Sequence, residues 1–320
     1  MADAGHRTHR RSRRHVAETA DRRRASGVCA GDQEVKRFVL TRRRGGAGLL
    51  LLLLLTGAVA AQRPPVAVYE VYAIQFASAP YGVKNLVAGV TDSRSIDIAF
   101  TVWVARGGGK TVLVDAGFYR DKFIQQWKPR DFVKPSEAIE RGLGIKADLV
   151  TDIIVSHSHW DHMDGVDLFP NARIHIQKDE YEYYIGPAGE VLHRGGVDPD
   201  DAKMMAALKD ARVTLVNGDA QEILPGITVY TGGKHTFASQ YAAINTRRGT
   251  VVIASDNAYL YENLEKHLAI AQTVDAESNL KAQTRMLQLA ASPSLVVPGH
   301  DPAVFERFPS PGKGVARIDR

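Results

Sequence analysis

The chain has 320 residues, 44% hydrophobic and 24% charged, so it can bury a sizeable core and is not a disordered tail, a small disulfide scaffold or a multi-span membrane protein. Its net charge of +5 suggests an anionic partner until the chain is divided: residues 1–46 hold 13 Lys+Arg against 5 Asp+Glu, and the rest holds 28 against 31. The body is therefore mildly acidic and nucleic acid is not expected as its partner; the one cysteine, Cys29, lies in the basic segment and leaves the body no disulfide, thiolate ligand or thiol nucleophile.

Arg42–Arg44 precede the apolar run Leu49–Leu55, and Ala58 and Ala60 form an A-x-A cleavage signal. Residues 1–60 thus read as a basic leader and signal peptide, cleaved near Ala60, with the product periplasmic or secreted and without a membrane span. The basic region is longer than a signal needs, so residues 1–34 read as a mis-assigned upstream start. Residues 61–320 form one domain.

In the body, Val66–Phe76 reads as a strand. Ile96–Val104 and Thr111–Val114 read as a hairpin across Gly107-Gly108-Gly109. Phe118–Lys134 looks irregular, and Ser136 is placed to cap a short helix. Leu149–Val155 and Ala172–Ile176 are short buried strands, followed by helical spacing over Asp179–Tyr184 and Asp200–Ala211. Val213–Val216, Ile227–Tyr230, Tyr241–Asn245 and Thr250–Ala254 are strand-like. Ser278–Ala291 is an amphipathic helix, and Ser294–Val297 reads as a closing strand. Strand-rich blocks in two halves, separated by helices, suggest two sheets packed together with helices outside.

The chemistry concentrates in Ser156-His157-Ser158-His159-Trp160-Asp161-His162, directly after the apolar Ile153–Val155. In an extended stretch, residues two apart point the same way, so His157 and His159 can share a metal. The chain then turns, and Asp161 and His162 face a second position. Further candidates stand just after apolar strands, where a sheet edge can present them to one cleft: His235, Asp256 and His300. Imidazole with carboxylate suits zinc, and also iron, cobalt or manganese.

With these residues in place, the sequence resembles the metallo-β-lactamase superfamily, and within it the N-acyl-homoserine lactone hydrolases, from about Val66 to Phe308. The resemblance implies an α/β fold, a four-layer αββα sandwich with metals at the edge of its two sheets. It implies one divalent ion held by His157, His159 and His235, a second held by Asp161, His162 and His300, and Asp256 bridging both. Asp115, in Val114-Asp115-Ala116-Gly117, matches an early Asp-x-Gly element of supporting role. Tyr259 matches a lactonase tyrosine that contacts the substrate carbonyl or leaving oxygen. Where the family often has His-Thr-Pro-Gly, this chain has His235-Thr236-Phe237-Ala238, which is expected to put Phe237 near the site.

The implied function is hydrolysis of a small-molecule lactone or ester, with N-acyl-homoserine lactones foremost, using two divalent ions with zinc preferred. Two metals about 3.5–4 Å apart bring a bridging water toward a pKa of about 7, and that hydroxide attacks the ring carbonyl. Tyr259 would donate to the oxyanion, and Asp161 would carry a proton to the leaving alkoxide. Other hydrolases of the fold are the alternative. The commonest class B β-lactamases have cysteine where Asp256 stands, thioesterases of the glyoxalase II type need a helical domain after His300, and phosphodiesterases suit a more basic body. His175, His193 and His267 read as structural or surface residues. Tyr181, Tyr183 and Tyr184 read as packing against the sheet, and Asp301 as a turn former or a support for His300.

Overall fold

The computed structural model describes residues 66–320; the readings of a leader, cleavage site and export signal lie outside the described residues. The first half runs β1 (Tyr69–Gly82), β2 (Ser95–Gly107), β3 (Lys110–Val114), α1 (Asp121–Trp127), α2 (Pro135–Leu143), β4 (Asp152–Ile154), α3 (Trp160–Met163), β5 (Arg173–Gln177), α4 (Lys178–Tyr184), α5 (Pro199–Arg212) and β6 (Val213–Val216). The second runs β7 (Gln221–Leu224), β8 (Ile227–Thr231), β9 (Gln240–Thr246), β10 (Gly249–Ser255), α6 (Tyr261–Lys266), α7 (Ala276–Leu289), β11 (Val296–Pro298), α8 (Val304–Arg307) and β12 (Val315–Arg317).

Alternation along β1 explains the layering. Tyr69, Val71 and Ala73 face one apolar core, while Tyr72, Ile74 and Phe76 face another. The first core holds Val71, Trp103 and Val112 together with Ile227, Ile244 and Ile253, so strands from both halves of the chain share it. The other core lies under the helices, with Ile139 of α2, Tyr181 of α4 and Met205 of α5. On the far side, α7 packs on β10 through Ala282 and Met286. The order of layers is helix, sheet, sheet, helix, the αββα arrangement of an α/β protein.

Hydrogen bonding refines the expectation of two sheets. The strands follow one path, β11-β10-β9-β1-β2-β3-β4-β5-β6, along which the halves meet at the parallel pair Tyr69↔Thr246, and β12 also pairs with β1 off that path. β3, β4, β5 and β6 pair in parallel. Parallel strands are covered on both faces, which is why Ile153-Ile154-Val155 is apolar without alternation.

Three local expectations are corrected. The stretch read as irregular contains α1. α2 begins at Pro135 with Lys134 as its N-cap, so Ser136 lies inside the helix; proline's fixed φ and missing N–H suit that first position. Val296–Pro298 does not close the chain, because β12 follows and pairs antiparallel with β1. β7, rich in polar residues, carries no apolar alternation that marks it in sequence.

Candidate metal centre

Every site residue foreseen in the sequence stands at or just beyond a strand end. His157 and His159 occupy the link after β4 and Asp161 and His162 the short helix α3 that it leads into, while His235 follows β8, Asp256 follows β10 and His300 follows β11. The fold brings all seven together as two groups. His157, His159, His235 and Asp256 form one and Asp161, His162 and His300 the other, each with potential ligand atoms within 4.8 Å of one another.

Asp256 divides its carboxylate between them. Its Oδ2 lies 3.3 Å from His235 Nε2 and 3.8 Å from His157 Nε2. Its Oδ1 lies 3.0 Å from His300 Nε2 and 3.3 Å from His162 Nε2. Asp161 Oδ2 completes the second group, 3.5 Å from His162 Nε2 and 3.7 Å from His300 Nε2.

The far nitrogen of each ring is held from behind. His162 Nδ1 donates to Asp115 Oδ2 at 2.8 Å, His235 Nδ1 to the Gln272 carbonyl at 2.8 Å, and His300 Nδ1 to the Ala99 carbonyl at 3.0 Å. His157 Nδ1 lies 2.8 Å from Ser156 Oγ. These four present Nε2 inward. His159 is reversed: its Nε2 donates to the Gly195 carbonyl at 2.8 Å, leaving Nδ1 toward His235. Such outer hydrogen bonds fix ring tautomer and orientation. Asp115 also accepts from the Ser156 N–H and from Ser255 Oγ, each at 2.8 Å, which gives the early Asp-x-Gly element its supporting role.

The residues fit a metal pair. His157 Nε2, His162 Nε2 and Asp256 Oδ1 are buried without a hydrogen-bond partner, an arrangement that is costly unless an ion satisfies them. Burial and then the adjacent His162 hold His157 well below its ordinary pKa, and burial with His159 brings His235 to about 4. Both are neutral rings with a free lone pair, as ligation requires. Burial opposes charge on His162 and His300, yet Asp256 and Asp161 raise both, joined at His162 by Asp115. A proton on such a ring balances the carboxylates, a role that a cation takes over on binding.

Tyr259 is buried, with its hydroxyl 3.2 Å from His235 Nδ1 and its ring centroid 5.9 Å from that of His300. Burial, then Asp256 and Asp161, push its phenol up, so it keeps its proton. Cations would offset the carboxylates and leave burial as the cause. A cavity of about 320 Å³ opens over Asp161, Asp256, Tyr259 and His300. Its outer wall is aromatic: the Trp127 centroid lies 5.4 Å from Trp160, 5.7 Å from Tyr81 and 5.9 Å from Phe100.

Phe237 does not line this cavity. The Phe237 N–H donates to Tyr184 Oη at 3.3 Å and the Ala238 N–H to Glu180 at 2.7 Å, turning the loop toward α4, where the Phe237 ring stacks 3.9 Å from Tyr183. Tyr181 and Tyr184 pack in the core as expected, and His193 stacks on Tyr183 at the surface. His175 pairs with Asp152 at 2.9 Å. His267 ends α6 in the left-handed region. Asp301 is a turn former, accepting from the Tyr261 and Ala303 N–H groups.

Two further supports are not legible in the sequence. Glu180, fully buried, accepts from the Ser158 N–H and Oγ through Oε1 and from the Ala238 N–H through Oε2, and so ties the His157–His159 loop to the His235 loop. Gly196 packs directly on His159, where a Cβ would meet Cδ2 at 2.0 Å. Neither residue carries a signal, because a first-turn Glu and a loop Gly are ordinary until tertiary packing places them.

The sequence pattern of the Metallo-beta-lactamase superfamily matches residues 99–300. An N-acyl homoserine lactonase of Bacillus thuringiensis is 30% identical over 166 residues, 51% of this chain and 60% of that protein. The match thus spans less than two thirds of the relative's own length. Among solved structures, a quorum-quenching N-acyl homoserine lactone lactonase superposes with a TM-score of 0.62 at 22% identity, covering 76% of this chain and 96% of that one. AidC, a dizinc quorum-quenching lactonase in complex with a product, does so with a TM-score of 0.56 at 14% identity, covering 80% and 99%. At those identities the structural likeness is one of fold.

Proposed function

The chain belongs to the metallo-beta-lactamase superfamily, and from that premise we propose that it is a metal-dependent hydrolase that opens small-molecule lactones, N-acyl homoserine lactones foremost. The observation that carries the reading is the divided Asp256 carboxylate, with one oxygen toward each ligand group and the Tyr259 phenol beside them. In this reading His157, His159 and His235 hold one divalent ion, Asp161, His162 and His300 hold the other, and Asp256 serves both. When bound, such a pair supplies Lewis acidity and makes hydroxide available at neutral pH. Zinc is the preferred ion, by the donor set and by the dizinc relative.

The chain's own groups do the rest. Tyr259, protonated and pocket-lining, donates a hydrogen bond to the oxyanion as the ring carbonyl becomes tetrahedral. Asp161 lines the same cavity and carries a proton to the leaving alkoxide, which otherwise recloses the ring. The aromatic wall offers an apolar acyl chain a surface to pack on. In the same reading the leader is removed near Ala60 and the enzyme works outside the cytoplasm; N-terminal sequencing of exported protein checks that cleavage point.

The decisive experiment is a pH-indicator assay on purified, zinc-loaded protein with lactones, thioesters, phosphodiesters and β-lactams. Lactone opening is expected, lost in Asp256→Ala. Folded, metal-loaded protein that opens no lactone would end the reading.

A further inference from the structure

Tyr81, near the end of β1, and Gln272, between α6 and α7, line the same cavity as Tyr259. The Gln272 backbone carbonyl accepts from His235 Nδ1 at 2.8 Å. Its side-chain Nε2 donates to Tyr81 Oη at 3.1 Å and to the Asn85 carbonyl at 3.3 Å. A phenol oxygen that receives an N–H turns its own O–H away from that donor. Among the described residues, no protein acceptor takes the Tyr81 proton. The neighbouring Trp127 indole N–H is buried and also lacks a partner.

The cavity therefore carries two phenols in series. The inner one, Tyr259, stands beside the ligand groups. The outer one, Tyr81, stands among apolar residues with an uncommitted donor. A plain lactone offers one carbonyl, which the reaction places at the inner end. A donor held outward among Leu86, Ile98 and Trp127 calls for a second acceptor on the substrate, next to an apolar chain.

We propose that Tyr81, oriented by Gln272, is a specificity-determining residue that donates to the side-chain amide carbonyl of an N-acyl lactone while the ring carbonyl lies at Tyr259. This rests on the lactonase reading above and deepens it. Because Gln272 also holds His235 through its backbone, one residue aligns the subsite with the centre.

The test compares an N-acyl homoserine lactone with an alkyl γ-lactone of equal chain length that lacks the amide. In Tyr81→Phe, the ratio of kcat/KM for the amide lactone over the alkyl lactone should fall about tenfold, the size of one neutral hydrogen bond, with the change in KM. Gln272→Glu is nearly isosteric and keeps the backbone contact. Its carboxylate accepts the Tyr81 proton, so the ratio should fall similarly. A thermal melt shows that both variants are folded. An unchanged ratio in Tyr81→Phe, or equal losses on both lactones, overturns the subsite and leaves the lactonase reading standing. Wild-type protein that opens neither lactone overturns both.

Discussion

His162 rests on Asp115, a fully buried carboxylate fixed by Ser156 and Ser255, whereas His159 rests beneath the carbonyl of Gly195, an exposed loop residue at the cavity rim. Both rings belong to one centre, but their supports differ. The Asp115 side is built from the ends of β3, β4 and β10, so it forms with the core. The His159 side is assembled from the loop before α5 and the His235 loop, braced by Glu180. Loop contacts open at lower free energy than core contacts, so the two sides should fail differently.

The largest effect is expected at Asp115. Its φ of +62° lies in the left-handed region, which asparagine tolerates, so Asp115→Asn changes the side chain with little backbone strain. The amide cannot accept from all of His162, Ser156 and Ser255. Metal affinity should fall about 10–100-fold, as when a ligand's outer partner is removed, seen as metal lost to a chelator that leaves the wild type loaded. Retention against that chelator would show that the core does not pre-form this side.

Glu180→Gln probes the brace on the other side. The new amide N–H₂ faces either Ser158 or the Ala238 N–H, donor against donor. About 1–3 kcal/mol of stability should go, read in urea unfolding, with about tenfold weaker metal retention. Unaltered metal retention in a destabilised variant would make Glu180 a brace of the fold alone.

Gly196→Ala should act more mildly. The added Cβ meets the His159 ring and the backbone φ is +107°, so the loop must shift. A loop can move, and the expected cost is about 1 kcal/mol, about fivefold in metal retention. Gly312→Ala, with no atom near its added Cβ, is the silent control.

The same contrast sets how far the sequence could be read. His157, His159, Asp161 and His162 were visible because their spacing carries the geometry within one short stretch. His235, Asp256 and His300 were visible because each follows an apolar strand. Tyr259 and Asp115 came through family resemblance. The brace at Glu180, the carbonyls of Gly195, Gln272 and Ala99, and the turn of Phe237 away from the cavity depend on packing between distant segments. A backbone carbonyl has no residue-type signature. In the fold, most strands with apolar runs were legible to within about three residues, whereas β1 runs on to Gly82, six residues past the expected Phe76. Polar β7, helix α1 and terminal β12 owe their form to neighbours.

The smallest effect on the metal centre itself, one read in stability alone, tests whether the core-built side carries a pH liability. Asp164, in the turn after His162, accepts from the Tyr119 and Arg120 N–H groups and pairs with the Arg120 guanidinium. Asp201 of α5 faces the same cluster, fully buried, with Oδ2 lacking a partner. Burial first, then the Asp164 charge, raises Asp201 to about 9. The folded protein thus holds a proton that the unfolded chain has released above its ordinary value of about 3.9. Stability from this group is full below that value and is lost as pH rises through about 9, with a slope of at most about 1.4 kcal/mol per pH unit. Asp201→Asn removes the titration but keeps a polar side chain of similar size. Unfolding in urea at pH 5, 7 and 9 should show the variant gaining on the wild type steadily as pH rises, by no more than that slope. Parallel curves across that range would mean that Arg120 already neutralises the pair and that the core-built side carries no such liability.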